Sequence, residues 1–381
     1  MRVAVPKETV PGERRVALIP DAAAALVKSG LEVLVEAGAG DGAFHSDAAF
    51  EKAGAGIAPD AATLYAQADV VLKVQKPTIA EVDRLREGTV LVSFLQALIS
   101  PELVQHLVAR RITSFGMEGV PRISRAQKMD ALSSQANIAG YKAVLIAAES
   151  LPKFFPMMMT AAGTVFAARA LVMGVGVAGL QALATARRLG AQVWGYDVRP
   201  VVKEQVESIG AKFLEFDLGI TDAEDKGGYA KALSPEASRR QQEMLAEKTT
   251  DFDVVITTAL VPGRAAPRLV TKETVAGMRP GSVIVDIAAE AGGNCELTEP
   301  EQTVVRHGVT IHGPTNLPAT MPMHASQLYA RNVTELLREF VKDGKLALDF
   351  DDEIIKGTCV THAGEVINEA VKAAQAARKT A

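Results

Sequence analysis

The sequence predicts an α/β protein made of two Rossmann-like domains, with mostly parallel sheets joined by long helices. Three observations predict it. Short apolar runs of strand length alternate with helical patterns along most of the chain, as parallel sheets with right-handed crossovers require. The chain has 381 residues, long for one domain and ample for two. Its composition is 48% hydrophobic and 23% charged, with only 5% aromatic residues. That suits helices packed closely on buried sheets and excludes disorder as the main state.

In the first series, strands are expected at residues 2–5, 31–35, 70–74, 90–94 and 112–115, each a short buried run. Helical patterns fill 21–29, 48–53, 79–86 and 101–110, with Asp21 after Pro20 as the first N-cap. A long helix is expected over 125–149. Ser124 and Gln127 fit a capping box at its start, and Leu151-Pro152 stops it. About 25 residues would make roughly 37 Å, enough to join two domains.

The second series puts strands at 170–173, 192–196, 254–257, 283–286 and 309–312, and helices at 177–189, 201–208 and 235–246. The polar, glycine-containing stretch 219–234 reads as a mobile excursion. A helix over 326–342 returns the chain to the first domain, followed by a hairpin over 349–365 and a last helix over 366–377. The domains are then 1–135 plus 326–381, and 136–325. The methionine run 157–159 reads as packing between them.

Several function classes drop out. The net charge is −4, and no aromatic-plus-basic RNA-reading motif occurs, so nucleic acid is not an expected partner. Two cysteines, Cys295 and Cys359, cannot build a disulfide framework or a four-thiolate zinc site. His312, His324 and His362 are dispersed, so no metal is expected. No stretch reads as a signal peptide or a membrane span. The chain is expected to be cytoplasmic, with any membrane contact made through a partner.

The strongest local motif is Gly174-Val175-Gly176-Val177-Ala178-Gly179, which follows an apolar strand and opens a helix at Val177, Ala178 and Leu180. Its glycines allow the tight turn, the backbone approach to a pyrophosphate and close helix–strand contact. The helix N-terminus offers free N–H groups to phosphates. Asp197 ends the next strand, 18 residues after Gly179, where a carboxylate accepts ribose hydroxyls and repels a 2′-phosphate. This favours NAD(H) over NADP(H). The plain alternative is a glycine-rich βα turn without a ligand. Arg199 leaves a second alternative, since an arginine there accommodates a 2′-phosphate. Beside a retained Asp197 and Val198 it reads instead as lying over the adenine or in solvent.

At these residues the chain resembles the NAD(H)-binding component of proton-translocating nicotinamide nucleotide transhydrogenase and, more distantly, alanine dehydrogenase. Shared stretches are Val5-Pro6-Lys7-Glu8, Arg15-Val16-Ala17-Leu18-Ile19-Pro20 and the glycine turn. More specific to transhydrogenase are Pro121-Arg122-Ile123-Ser124-Arg125-Ala126-Gln127, Met129-Asp130, Leu132-Ser133-Ser134-Gln135 and Ala139-Gly140-Tyr141. So are 157–164, Gly227-Gly228-Tyr229-Ala230-Lys231 and Ala291-Gly292-Gly293-Asn294-Cys295.

The resemblance implies a subunit that binds NAD(H) and passes hydride directly to NADP⁺ on a partner. It implies a homodimer, with NADP(H)-binding and membrane-spanning partner subunits and peripheral attachment to the inner membrane. It implies a polar shelf of Arg122, Gln127, Asp130 and Ser133 around the nicotinamide, with Ser124 and Arg125 also binding the cofactor. The bland alternative makes Gln127 a capping partner and Asp130 a solvated helix charge. Gly228 and Tyr229 are implied as a lid, and Thr258 and Leu260 as contacts on the adenosine side.

Alanine dehydrogenase carries a catalytic lysine and histidine where this chain has Leu72-Lys73-Val74-Gln75-Lys76-Pro77 and Phe94-Leu95-Gln96. Gln75 and Gln96 cannot serve as acid or base near neutral pH. Direct hydride exchange needs alignment more than proton transfer. Arg15 matches a substrate-carboxylate binder of alanine dehydrogenase and reads here as structural or as support for the nicotinamide region. Two alternatives stand beside transhydrogenation: a freestanding alanine dehydrogenase-like enzyme, and a non-catalytic NAD(H) sensor or assembly subunit.

Overall fold

A computed structural model describes residues 1–217, 231, 233–261, 263–342 and 344–379. In chain order it begins with β1 (Arg2–Val5), α1 (Pro20–Lys28), β2 (Glu32–Glu36), α2 (Asp47–Lys52), β3 (Gly56–Ala58), α3 (Ala61–Gln67) and β4 (Val70–Leu72). Then come α4 (Ile79–Arg84), β5 (Val90–Ser93), α5 (Pro101–Ala109), β6 (Thr113–Gly116) and α6 (Ala131–Ser150). A hairpin of β7 (Met158–Thr160) and β8 (Gly163–Val165) precedes β9 (Arg169–Met173), α7 (Val177–Arg188), β10 (Gln192–Tyr196), α8 (Lys203–Ser208) and β11 (Lys212–Phe213). Next are α9 (Pro235–Thr249), β12 (Val254–Thr257), α10 (Lys272–Gly277), β13 (Val283–Asp286), β14 (Thr303–Arg306) and β15 (Val309–His312). The chain closes with α11 (Pro322–Phe340), β16 (Val341–Lys342), β17 (Lys345–Leu346), α12 (Glu353–Thr358), β18 (Cys359–His362), β19 (Glu365–Val366) and α13 (Glu369–Lys379).

These elements form two units: residues Met1–Gln135 with Ala319–Ala381, and residues Ala136–Pro318. The first unit holds a sheet ordered β19-β18-β6-β5-β4-β1-β2-β3. Its strands from β3 to β6 are parallel, and β18 and β19 add an antiparallel edge. Val3, Val5, Val70 and Leu72 point into one apolar cluster, and Ala4 and Val71 into another on the opposite face. Both faces of the central strands are buried, so β1, β4 and β5 read as apolar runs.

The second unit is ordered β11-β10-β9-β12-β13-β15-β14, parallel except for β14. Ala170 and Val172 enter one cluster, Leu171 and Met173 the other. In each unit the strand order reverses beside the first strand, between β1 and β4 and between β9 and β12. Open α/β sheets bind ligands outside the carboxyl ends of the strands at such a reversal.

Several expectations are corrected. Asp21 is not the first cap: Pro20 takes the first helical position and Ile19 the cap, because proline's fixed φ suits that place. Ser124 and Gln127 form no capping box. Residues Ser124–Met129 wind as a 3₁₀ helix without a side-chain cap, and α6 starts only at Ala131. Asp130 starts it by accepting the Ser133 N–H at 2.8 Å. The long helix therefore has 20 residues, not 25. The elements β3, α3, the β7–β8 hairpin, β11, α10 and β14 are not among those expected. The expected hairpin over 349–365 is interrupted by α12, which Asp352 caps through the Ile354 N–H. Only Thr361–Val366 and His362–Glu365 pair across it. The return helix begins at Pro322 rather than residue 326, and buried Ala325, Tyr329, Val333 and Leu337 lie along it; the last three join the first unit's main apolar cluster. Met157, Met158 and Met159 are exposed rather than packed.

Candidate functional site

In the second unit β9 ends at Met173 and the chain turns at Gly174, with φ +89°, a left-handed conformation that favours glycine. A side chain at Gly174 would lie 2.8 Å from the Ala259 nitrogen, and one at Gly179 only 2.0 Å from the Gly174 oxygen. The protein's own packing thus demands the first and third glycines. At Gly176 an added carbon would meet nothing within 4 Å. Glycine there answers no demand of the fold, which fits a backbone left open to a phosphate. Gly176 caps α7, and Val177 and Ala178 form its first turn. Val177 is exposed, while Leu180 packs against the core. On α6, a side chain at Gly140 would lie 2.1 Å from the Ala178 oxygen. Its glycine lets α6 reach the start of α7.

Asp197, at the end of β10, has both carboxylate oxygens engaged. Its Oδ2 accepts the Val175 N–H at 2.8 Å. Arg199 donates to Oδ1 through its backbone N–H and Nε, and to Oδ2 through Nη2, all at 2.9 Å. Arg199 is therefore not a solvated side chain; it is a bidentate partner of Asp197. The short loop through half-buried Val198 brings the guanidinium back onto the carboxylate. Beyond β12, Thr258 Oγ1 donates to the Gly174 oxygen at 2.8 Å, and Leu260 is exposed beside it in sequence. Gly228 and Tyr229 lie outside the described residues. Burial pushes the Cys295 thiol up to about 11, so it is no nucleophile near neutral pH.

The other expected residues belong to the first unit. Ser124, Arg125 and Gln127 lie on the 3₁₀ segment, Arg122 just before it, and Asp130 and Ser133 at the start of α6, where both are half-buried. Buried Ala126 and Met129 anchor the 3₁₀ segment. Asn332 on α11 holds it by donating to the Lys128 oxygen and accepting from Ser134 Oγ, both at 2.7 Å. Arg125 is paired with Glu339 and Asp352. Gln127 does not share a helix face with Asp130 and Ser133, since it lies on the 3₁₀ turn before α6 begins.

Sequence reasoning missed a buried ionic cluster in the first unit. Glu8, after β1, accepts the Val74 N–H at 2.6 Å. Its other oxygen lies 3.3 Å from Lys73 Nζ, an ion pair without hydrogen-bond geometry. Lys73 also donates to Glu81 at 2.7 Å. Burial pushes the Glu8 carboxyl above its ordinary range despite Lys73. Burial acts the same way on Glu81, but Lys73 outweighs it and lowers that carboxyl. Arg15 is bound by both oxygens of Glu13 and donates to Gln135 Oε1 at 2.9 Å. Gln75 Nε2 donates to Glu13 at 2.8 Å. Gln75 thus stands at the Arg15 cluster, while Lys73 is committed to Glu8 and Glu81, and Lys76 donates to Ser100. The missed signal was Lys73 itself, a charge inside the apolar run Val70–Val74, which needs a buried partner.

A cavity of about 730 Å³ in the first unit is lined by Leu98, Glu118, Phe350, Lys356 and Val360 among others and contains none of the expected residues.

Comparison with known proteins agrees with this architecture. The alanine dehydrogenase/PNT N-terminal domain matches residues 4–139 and the corresponding C-terminal domain residues 143–369. The chain is 52% identical over 379 residues to an NAD(P) transhydrogenase subunit alpha protein of Rhodospirillum rubrum, covering 97% of this chain and 99% of that one. It is 32% identical to an alanine dehydrogenase of Halomonas elongata, covering 97% and 96%. The crystal structure of transhydrogenase from Sinorhizobium meliloti superposes with a TM-score of 0.85 at 44% identity, covering 97% of this chain and 100% of that one. The chain belongs to the alanine dehydrogenase/PNT family, and its identities place it with the transhydrogenases of that family rather than with the alanine dehydrogenases.

Proposed function

We propose that this chain is the NAD(H)-binding subunit of a proton-translocating transhydrogenase, passing hydride directly between NADH and NADP⁺ held by a partner subunit. The observation that carries this reading is Gln75. Its amide lies on Glu13 beside Arg15, where an alanine dehydrogenase would need a proton-transferring lysine. A glutamine there leaves a site suited to orientation, not acid–base work.

NADH, when bound, supplies the hydride. The turn at Gly174, Gly176 and Gly179 and the start of α7, at Val177, Ala178 and Leu180, would hold its pyrophosphate. Asp197, Val198 and Arg199 would face the adenosine ribose, with Thr258 and Leu260 on the adenosine side. Arg122, Gln127, Asp130 and Ser133 would orient the carboxamide, with Ser124 and Arg125 supporting that segment. Gly228 and Tyr229 would close over the nucleotide.

NADP(H) would sit on a partner subunit, and further partners would span the membrane. Among the described residues no helix is long and apolar enough to cross one, which fits peripheral attachment at the cytoplasmic face through those partners. The β7–β8 hairpin and its flanks carry exposed Met157, Met159, Val165 and Phe166, an apolar surface that supports a homodimer.

Stopped-flow mixing of the chain with NADH and the NADP⁺-loaded partner tests the reading. Rapid NADP⁺ reduction is expected, with no alanine oxidation by the chain alone. Gln127→Asn should slow the transfer about tenfold or more while changing NADH binding little. Robust alanine turnover would replace the proposal with the dehydrogenase reading.

A further inference from the structure

The stretch Gly292-Gly293-Asn294-Cys295 has no role in the hydride transfer proposed for this chain. Asn294 is fully buried in the second unit. Its Oδ1 accepts the Ala259 N–H at 2.9 Å, and its Nδ2 donates to the Ala259 oxygen at 2.9 Å and the Pro267 oxygen at 2.8 Å. The side-chain amide thus pairs with one backbone residue as a neighbouring strand would, satisfying both its donor and its acceptor.

The base of this grip is held by several hydrogen bonds. The Asn294 carbonyl accepts from the Leu269 and Val270 N–H groups at 2.8 and 3.1 Å. Arg268 Nη1 donates to the carbonyls of Gly293 and Cys295, on either side, at 3.0 and 2.9 Å. Buried Asp286 accepts the Cys295 N–H at 2.9 Å and Thr298 Oγ1 at 2.8 Å.

The gripped residue is next to the glycine turn. Thr258, its neighbour, donates to the Gly174 oxygen at 2.8 Å. The Ala259 nitrogen is the atom a side chain at Gly174 would meet first. We infer that Asn294 is a positioning residue for the nucleotide, setting the peptide of Thr258 and Ala259 against the Gly174 turn so that the turn is held in its binding shape. This rests on the proposal that the second unit binds NAD(H). Aspartate cannot substitute as a carboxylate, because it lacks the two donated bonds and turns a buried charge toward two carbonyl oxygens.

The experiment is an NADH titration of the full chain, read by quenching of its single tryptophan, Trp194 on β10. Wild type, Asn294→Asp, Thr258→Val and the double variant are compared, with a thermal melt of each. Asn294→Asp should raise the Kd for NADH about tenfold or more. Its effect and that of Thr258→Val should be non-additive, since both act on one peptide. Should Asn294→Asp fail to fold, Arg268→Met replaces it, loosening the same base without a buried charge; several-fold weaker binding, coupled to Thr258, is expected. Wild-type affinity in a folded variant, or strict additivity with Thr258→Val, overturns the inference. No NADH binding by the wild type would instead overturn the proposed function on which it rests.

Discussion

The two units share the strand order around their first strand, β3-β2-β1-β4-β5 in one and β11-β10-β9-β12-β13 in the other, but treat its reversal point in opposite ways. In the second unit β9 runs through a glycine turn straight into α7, and the reversal exposes backbone N–H groups. In the first unit β1 is followed by a long segment carrying Glu8, Glu13 and Arg15, and the reversal is filled by side-chain charge. There Glu8 reaches the Val74 N–H after β4 and pairs with Lys73. The same strand arrangement therefore yields an open backbone turn, the proposed phosphate cradle, where glycines strip side chains away, and a sealed ionic cluster where acids and a lysine are supplied. The difference shows that the fold marks the place and local residues choose the chemistry.

The largest expected effect breaks the first unit. Lys73→Met should leave Glu8 and Glu81 buried without a cation and cost about 3–5 kcal/mol, measured as a fall in the urea midpoint. An unchanged midpoint would mean the cluster is not sealed.

The second prediction sharpens the glycine cradle. Gly179→Ala should weaken NADH binding about a hundredfold, because its new carbon meets the Gly174 oxygen at 2.0 Å and the backbone must move. Gly176→Ala should keep the wild-type melting temperature and still lose about tenfold in affinity. Normal NADH affinity in Gly176→Ala would contradict a phosphate at that position.

A smaller effect concerns the Asp197–Arg199 pair. Arg199→Ala leaves the carboxylate uncompensated and should lower NADPH affinity by about threefold to tenfold, with NADH binding changed less. Calorimetric titration with both nucleotides checks it. A gain in NADPH affinity would reverse the assigned roles.

The smallest effect is in pH dependence. The Glu8 carboxyl, raised from 4.5 by burial, holds its proton longer in the folded chain, so its contribution to stability falls as pH rises above 4.5. The Glu81 carboxyl is lowered from 4.5 by Lys73. Its contribution is present above 4.5 and is lost as pH falls through the folded value. Denaturation across the acid-to-neutral range should show Glu8→Gln flattening the first slope and Glu81→Gln losing stability at neutral pH. Equal profiles for the two variants would remove the asymmetry.

Much of this was legible in the sequence because it is local. The strands β1, β10, β12, β13 and β15 span the residues expected of them, since short apolar or alternating runs mark strand length locally. The glycine turn needed no more than a strand before it and a helix after it. The 3₁₀ segment before α6 was misread as helix because Ser124 and Gln127 match a cap by spacing alone. Asn332, far along the chain, holds the Lys128 carbonyl instead.

By itself, then, the sequence determined the alternation of strands and helices, the glycine turn between β9 and α7, and side chains without acid–base chemistry at Gln75 and Gln96. Only the tertiary structure decided that Arg199 closes on Asp197, that Lys73 pairs with Glu8 and Glu81, and that Asn294 grips Ala259. Periodicity reports which face of an element is buried, because burial repeats with the backbone. It does not report which polar partner meets a given side chain. That choice is made by residues from two to 204 positions apart, once folding has excluded water and a buried donor or charge must find a partner in the protein.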